Sequence, residues 1–361
     1  MTLSLLRRSS AGLTGDRSGF GLAVNLALVA LLGLASLVSL ASGPTGVGLG
    51  DLWRHLSGVG GLATQDLVIL EAVRLPRTAL ALLVGAGLGV SGAMMQGLFR
   101  NPLADPGLVG VTSGAALAAV CAIVLGTTVL APLQMLLGNQ FLPLMAFFGG
   151  LTNTVLLYAI ATRNGQTSTT VLILSGIAIG AMCAAGTGLL IFMADDRALR
   201  DITFWSLGSL GGATYAKAAS ILPFILAVLA TIPFVARGLD ALVLGDAAAY
   251  HMGVPVQRLK RIVILAVAAA CGATVAVAGS ISFVGIVVPH LLRLLIGPSH
   301  RFLLPASALG GASLLLLADS MARTVVAPAE LPIGIITAML GAPVFLVLLL
   351  GKNGRSAMEG L

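Results

Sequence analysis

The chain has 361 residues, 58% of them hydrophobic and only 9% charged, with a net charge of +7. A soluble domain of this size would carry roughly a quarter charged residues, and here apolar runs of about twenty residues recur along the whole length, so the composition excludes a soluble globular protein and points to a polytopic helical membrane protein. The runs are long and continuous, which excludes an outer-membrane barrel, and the excess of Lys and Arg reads as loop charge that sets orientation in a membrane, not as a nucleic-acid surface.

Residues 1–19 are basic and precede an apolar run, 20–41, that is long enough to span. They read as a cytoplasmic segment before an uncleaved first span. Further apolar runs lie at 75–99, 108–130, 142–161, 171–193, 221–235, 262–278, 281–296, 302–317 and 333–350. The total is about ten spans, which puts both termini on the same side. With the N-terminus inside, the inner loops hold most of the Lys and Arg; the outer set is Arg54, Arg74, Arg77, Arg197, Arg200, Lys217 and Arg323. The imbalance makes the terminal side cytoplasmic, and the arginines left outside need a reason of their own. Cys121, Cys183 and Cys271 each sit inside an apolar run and read as buried small hydrophobes, with no disulfide or metal framework.

Between the first two spans, 42–73 is a polar, glycine-rich external loop with a helix expected near 49–56. Arg74 and Arg77 stand at the outer mouth of the second span, and Pro76 suits a first helical turn. Gly85, Gly89 and Gly92, with Ser91, give it close-packing faces. Its GxG pattern lies in a lipid-length helix, not a strand-to-helix turn, so it is no nucleotide motif. The stretch FRNPLADPGLVG (99–110) breaks the helix. Non-helical backbone at a membrane edge survives where protein or a water-filled path satisfies it, so Asn101 to Leu103 form either a pore-lining turn or a plain tight turn. RNGQTSTT (163–170) is a turn dense in hydroxyls, whose Thr169 or Thr170 either caps the next span or lines a constriction. Residues 194–215 predict a short external helix and a glycine-rich bend. Pro289 is expected to kink or end the short run 281–296, with His290 as a helix-end contact.

The polar stretch 237–261, RGLDALVLGDAAAYHMGVPVQRLKR, lies between two apolar runs on the inner side. Asp246 to Met252 form one short amphipathic helix there, bracketed by Gly245 and Gly253 and stopped by Pro255. It is either a lever for a soluble partner or an ordinary basic loop. No span centre carries a His, Asp, Glu, Lys or Arg. An ion-coupled secondary carrier usually needs such a group, and a membrane-embedded enzyme needs catalytic carboxylates or histidines at depth. There is also no GxxxxGK[ST] pattern for ATP. Energy must enter from elsewhere, and the 237–261 loop is the port.

RLPRTALALLVGAGLGVSGAMMQGLFRNPLADPGLVG, LGDAAAYHMGV, ISFVGIVVPHLLRLL, LLPASALGGASLLLLADSMAR and ELPIGIITAMLGAPVF resemble the membrane permease subunits of type II ATP-binding-cassette importers. This is the FecCD family, which carries iron–siderophores, haem and cobalamin. The likeness runs from about residue 75 to residue 350. It implies an all-α polytopic fold in one permease domain over 1–361, multi-pass in the bacterial inner membrane with both termini cytoplasmic. It implies a homodimer with the pathway on its axis, two ATPase subunits below and a periplasmic binding protein above. The chain itself would be no enzyme and bind no cofactor; ATP and Mg sit on the ATPase, and haem is the cargo. Gly245, Asp246, Ala247, Tyr250, His251, Met252 and Gly253 match the family's coupling helix. Arg74, Arg77 and Arg323 match positions that pair with acidic residues of the binding protein, a role suited to bidentate guanidinium geometry. Asn101, Leu103, Ser168, Thr169 and Thr170 match the cytoplasmic gate. The stretch ADDRALRDITFWSLGSLGGATY resembles haem permeases more than those for siderophores or cobalamin, which stay as alternatives alongside an ion-coupled carrier. No buried His or Tyr cluster offers an axial iron ligand, as expected of a route that passes cargo without holding it. Met94, Met95, Met145 and Met182 either face that route or pack helices.

Overall fold

The computed structural model describes residues 18–43, 48–58 and 64–350. Residues 1–17 of the expected N-terminal segment, and Lys352 and Arg355 of the inner charge set, lie outside the described residues. The described chain forms α1 (Ser18–Ala41), α2 (Leu49–Leu56), α3 (Thr64–Ile69), α4 (Leu75–Leu98), α5 (Val111–Leu125), α6 (Ala131–Leu137), α7 (Phe141–Ala161), α8 (Thr169–Phe192), α9 (Asp196–Leu207), α10 (Tyr215–Leu242), α11 (Asp246–His251), α12 (Val256–Ala278), α13 (Val284–Ile296), α14 (His300–Thr324) and α15 (Ile333–Leu350). Among these residues seven helical rods are long and apolar enough to cross a membrane, and α5, α13 and α15 are shorter apolar helices. In lipid the backbone must satisfy its own hydrogen bonds, so apolar runs of this length become helices. The helical polytopic architecture read from the sequence is the one the chain adopts, with seven spanning rods and three shorter apolar helices among the described residues where about ten spans were expected.

The second span starts earlier than the sequence suggested. α3 and α4 form one rod, Thr64–Leu98, joined by a π-helical turn at Leu70–Arg74. The Leu75 N–H donates to the Leu70 carbonyl across that turn. Pro76 has no N–H to give, and the wider turn carries the rod past it. Pro76 is therefore interior, and Arg74 and Arg77 lie within a helix, not at its mouth. Pro289 also fails to end its helix, since α13 continues to Ile296. α13 is only 13 residues long, about 20 Å, which falls short of a full crossing. The expected run 108–130 contracts to α5, because Gly110 (φ 75°) starts the helix late and the chain turns away after Leu125 into α6.

α4 is the axis of the bundle. It packs against α14, α10, α12 and α13 and is buried along nearly its whole length. Glycines allow this. A Cβ on Gly85 would lie 2.4 Å from the Gly311 carbonyl, one on Gly89 2.1 Å from the Ser307 carbonyl, and one on Gly92 1.8 Å from the Gly285 carbonyl. Backbones in contact at this range admit no side chain. Met94 and Met95 are wholly buried in this core and pack helices. Met145 is half-buried and Met182 is exposed on α8. By contrast, α1 and α8 bury little of themselves.

The two ends of the bundle differ. At one end α9 is followed by a bend through Gly208 (φ 70°) and Gly212 (φ 63°), as the sequence predicted. The Ser209 N–H donates to the Ala278 carbonyl and the Ile333 N–H to that of Gly208, lacing the bend to the end of α12 and the start of α15. At the other end lies α11. α10 runs on to Leu242 and α12 begins at Val256, so Arg237, Arg258, Lys260 and Arg261 sit on helix ends and the true loop is 243–255. Polar residues extend these helices beyond their apolar parts, which apolar-run boundaries cannot show.

Candidate functional site: a short helix at one face and an ionic cluster at the other

α11 is short because glycines bracket it. Gly245 (φ +100°) and Gly253 (φ +84°) take backbone conformations that other residues rarely adopt. Met252 caps the helix and does not extend it. Ala249 is fully buried, and its carbonyl accepts from the Val254 N–H at 3.0 Å. One side of α11 is thus seated on the bundle. The opposite side presents Tyr250 (70% exposed), Met252 and His251. Between α11, the start of α12 and Gln166 lies an open groove of about 710 Å³, lined by Asp246, Ala247, Tyr250, His251 and Gln257 among others. Exposed aromatic and thioether side chains beside an open groove make a surface suited to a protein partner.

The 163–170 stretch is not a simple turn. Residues Thr162–Arg163 and Gln166–Thr167 pair as a two-residue antiparallel hairpin. Asn164 (φ 49°) and Gly165 (φ 74°) turn it, the pairing that Asn-Gly favours in tight hairpins. Thr167 ends the hairpin and is buried. Its N–H donates to Gln257 Oε1 at 2.8 Å, and its carbonyl accepts from Lys260 Nζ at 3.0 Å. The same Nζ donates to Asp246 Oδ2 at 2.5 Å. Lys260 is 2% exposed. Ser168, the next residue, is the N-cap of α8: its Oγ accepts from the Val171 N–H at 3.3 Å. Capping therefore falls to Ser168, with Thr169 and Thr170 already in the helix.

The 101–103 turn closes on itself. Arg100, two residues beyond α4, takes a left-handed conformation (φ 53°). Asn101 Oδ1 accepts from the Leu103 N–H at 2.9 Å, and the Ala104 N–H donates to the Asn101 carbonyl. Asn101 is exposed and Leu103 half-buried. His290 lies in the middle of α13, not at a helix end as expected, and its Nδ1 is buried without a hydrogen-bond partner among the described residues. Asp105 Oδ1 accepts from the Gly107 N–H at 2.7 Å and starts a 3-10 turn, Pro106–Val109. Burial pushes the Asp105 carboxyl above the usual carboxylate range, against the pull of the Gly107 N–H. α8 packs on this turn, with Gly176 against the Leu108 carbonyl. The Arg100 guanidinium lies beside Gly245, where a Cβ would make an ordinary contact with Nη1 at 3.6 Å. The hairpin is thus tied through Lys260 to Asp246, the first residue of α11, while Arg100 lies beside the glycine that precedes it.

At the opposite face the three arginines singled out from the sequence come together, but inside the protein. Arg74, Arg77 and Arg323 are 3%, 6% and 5% exposed, so none presents a free guanidinium at the surface. Arg77 grips Asp319, from Nη2 to Oδ1 at 2.9 Å and from Nε at 3.0 Å. Its Nη1 bonds Glu330 at 2.8 Å. Arg323 Nε lies 3.0 Å from Asp319 Oδ2, and its Nη groups donate to the carbonyls of Ser39 and Ser42. Arg74 Nη1 donates to the Leu40 carbonyl at 2.5 Å. Asp319 is wholly buried, and Glu330 is the part-exposed member. The cluster joins the end of α1, the α3–α4 rod, α14 and the 325–332 loop. Asp319 and Glu330 were not among the residues picked from the sequence. α14 reaches Thr324, beyond the apolar run ending at 317, so Asp319 and Arg323 are spanning-helix residues near its end.

The FecCD transport family model matches residues 31–351. The hemin transport system permease protein HmuU of Yersinia pestis is 44% identical over 328 residues, covering 90% of this chain and 95% of that one. The vitamin B12 import system permease protein BtuC of Shigella boydii is 42% identical over 325 residues, covering 90% and 94%. Among solved structures, an inward-facing metal-chelate type ABC transporter superposes with a TM-score of 0.78 at 32% identity, over 90% of this chain and 98% of that one.

Proposed function

This chain belongs to the FecCD transport family and is a permease of the ABC importer class, and from that premise we propose that it passes haem inward across the bacterial inner membrane. The observation that carries the mechanism is α11, a six-residue helix seated at Ala249 with Tyr250 and Met252 facing out beside an open groove. Two partner ATPase subunits, which hold the ATP and Mg, would engage α11 on a homodimer of this chain. ATP binding then moves α11, and through it the segments Asn101–Leu103 and Ser168–Thr170 that gate the route. This orientation puts the α11 face and both termini in the cytoplasm and the α9 face in the periplasm. The chain's own part is mechanical; it binds no cofactor and hydrolyses nothing. Replacing residues 247–252 with a flexible Gly/Ser linker should leave ATP hydrolysis running in reconstituted complexes while uptake falls to background. Undiminished uptake by that variant would defeat the lever.

Haem as cargo rests on the likeness to the hemin permease. Cobalamin permeases are nearly as similar, so cobalamin is the second reading, with a ferric siderophore third. Proteoliposomes holding permease and ATPase, offered haem, cobalamin or a ferric siderophore on the cognate binding protein, should take up haem at least about tenfold faster, the difference that about 1.4 kcal/mol of selectivity makes. Preference for cobalamin would replace haem as the cargo. Uptake driven by an ion gradient without the ATPase would instead revive the secondary carrier.

The binding protein would dock at the α9 face, over the ionic cluster. Because Arg74, Arg77 and Arg323 are engaged internally, docking would use the part-exposed end of that cluster. An incoming carboxylate would there compete with Glu330 for Arg77.

A further inference from the structure

Lys260 is the only charged side chain among the described residues placed at once against α11, the hairpin and the body of α12. Its phase on α12 is that of Val256, Val263 and Val267, all buried. Arg258 and Arg261, its neighbours in sequence, are exposed. Burying a lysine costs free energy unless its ammonium is matched, and here it is matched by one carboxylate and one carbonyl from two separate elements. The carboxylate is Asp246, the first residue of α11. The carbonyl is Thr167, the last residue before the N-cap of α8. Gln257, one turn before Lys260 on α12, holds the N–H of the same Thr167. The peptide groups on both sides of Thr167 are thus clamped by α12, and only one of the two clamps also reaches α11.

We propose that Lys260 is the positioning residue that ties α11 to the head of α8, so that displacement of Asp246 is delivered to Ser168–Thr170 through the Thr167 carbonyl. This rests on the lever-and-gate mechanism above and adds the connection that the mechanism lacked. Charge-assisted hydrogen bonds are short and directional and transmit displacement better than apolar contact, which slides. Asp246 and Lys260 move together because neither has another charged partner of this quality within the described chain. Lys260→Met keeps the length and packing of the stem and removes the ammonium. Lys260→Arg keeps a cation able to reach both oxygens.

The test uses the full permease with its ATPase subunits in lipid vesicles. Spin labels go at Arg163→Cys on the hairpin and Ala248→Cys on α11, each paired with a reference label at Met135→Cys on the opposite face, with Cys121, Cys183 and Cys271 replaced by alanine. In the otherwise native chain, both distances should change on adding ATP with vanadate. In Lys260→Met the α11 distance should still change and the hairpin distance should not, with uptake down at least about tenfold, the size of one lost charge-assisted link. Lys260→Arg should restore the hairpin response. A Lys260→Met chain in which the hairpin still follows nucleotide, or in which uptake is unchanged, overturns the connection while leaving the lever intact. An otherwise native chain whose α11 distance ignores nucleotide overturns the lever itself, and the connection with it.

Discussion

Asp319→Ala should destabilise the permease by about 3–5 kcal/mol, the range for removing one partner of a buried ion pair. Asp319 is wholly buried between Arg77 and Arg323. Without it two guanidiniums stay inside the protein with less charge to face. Arg77 keeps Glu330, and Arg323 keeps the Ser39 and Ser42 carbonyls, so the loss falls short of two fully orphaned charges. Adding Arg323→Met to Asp319→Ala should recover part of the stability, because one unmatched cation goes with the carboxylate. Glu330→Gln is the control. Its partner is the same Arg77, but Glu330 is part-exposed, so its loss should cost no more than about 1 kcal/mol. The same variant tests the proposed docking: if a binding-protein carboxylate competes with Glu330 for Arg77, Glu330→Gln should bind that protein more tightly. Thermal midpoints of the purified permease in detergent, followed by gel filtration, measure the stabilities. An Asp319→Ala chain as stable as the parent would mean the cluster does not fasten α1, α4 and α14 together.

That cluster shows why the sequence was legible in some places and not in others. The spans were readable because apolar length decides helix formation in lipid. α11 was readable because Gly245 and Gly253 punctuate a short polar helix. Residues Arg74, Arg77 and Arg323 were found as exceptions to a charge rule, but a charge rule says which side of a membrane a residue is on, not whether it faces out. Their burial depends on Asp319, and Asp319 had a signal of its own. It sits four residues before Arg323 and in phase with the buried Ala308, Ala312, Leu315 and Ala322. Lys260 had the same signal, a charge in the apolar phase of α12. The hairpin had a different one, the Asn164–Gly165 pair, whose tight-turn preference is masked by the hydroxyl-rich loop around it. The π turn at Leu70–Arg74 had none beyond Pro76, since a missing N–H permits several local solutions.

Gly92→Val should be the most damaging substitution of a glycine in the bundle. A Cβ on Gly92 would stand 1.8 Å from the Gly285 carbonyl oxygen and 2.6 Å from its Cα. Both are backbone atoms, so no side chain can rotate aside. α4 and α13 must separate, and the core of α4 opens with them. Overpacking of side chains typically costs 1–3 kcal/mol, occasionally more, and a backbone-on-backbone clash belongs at or above the upper end, about 3 kcal/mol. The damage also reaches the site. Pro289 lies four residues after Gly285 and has no N–H to offer that carbonyl, so the close approach of Gly92 is what covers it. Gly285 also faces the segment that follows the 101–103 turn, where a Cβ on it would lie 3.1 Å from Pro106 Cδ. Moving α13 should therefore loosen this turn as well as the fold, and, if the turn gates the route as proposed, ATP hydrolysis should lose its coupling to uptake even in the fraction that folds. Gly33→Val is the comparison. Nothing lies within 4 Å of a Cβ at Gly33, and a valine there should shift stability by no more than about 0.5 kcal/mol. Equal thermal midpoints for the two variants would show that α4 and α13 are free to part, which would leave Gly285, Pro289 and the turn they support without the rigid contact that places them.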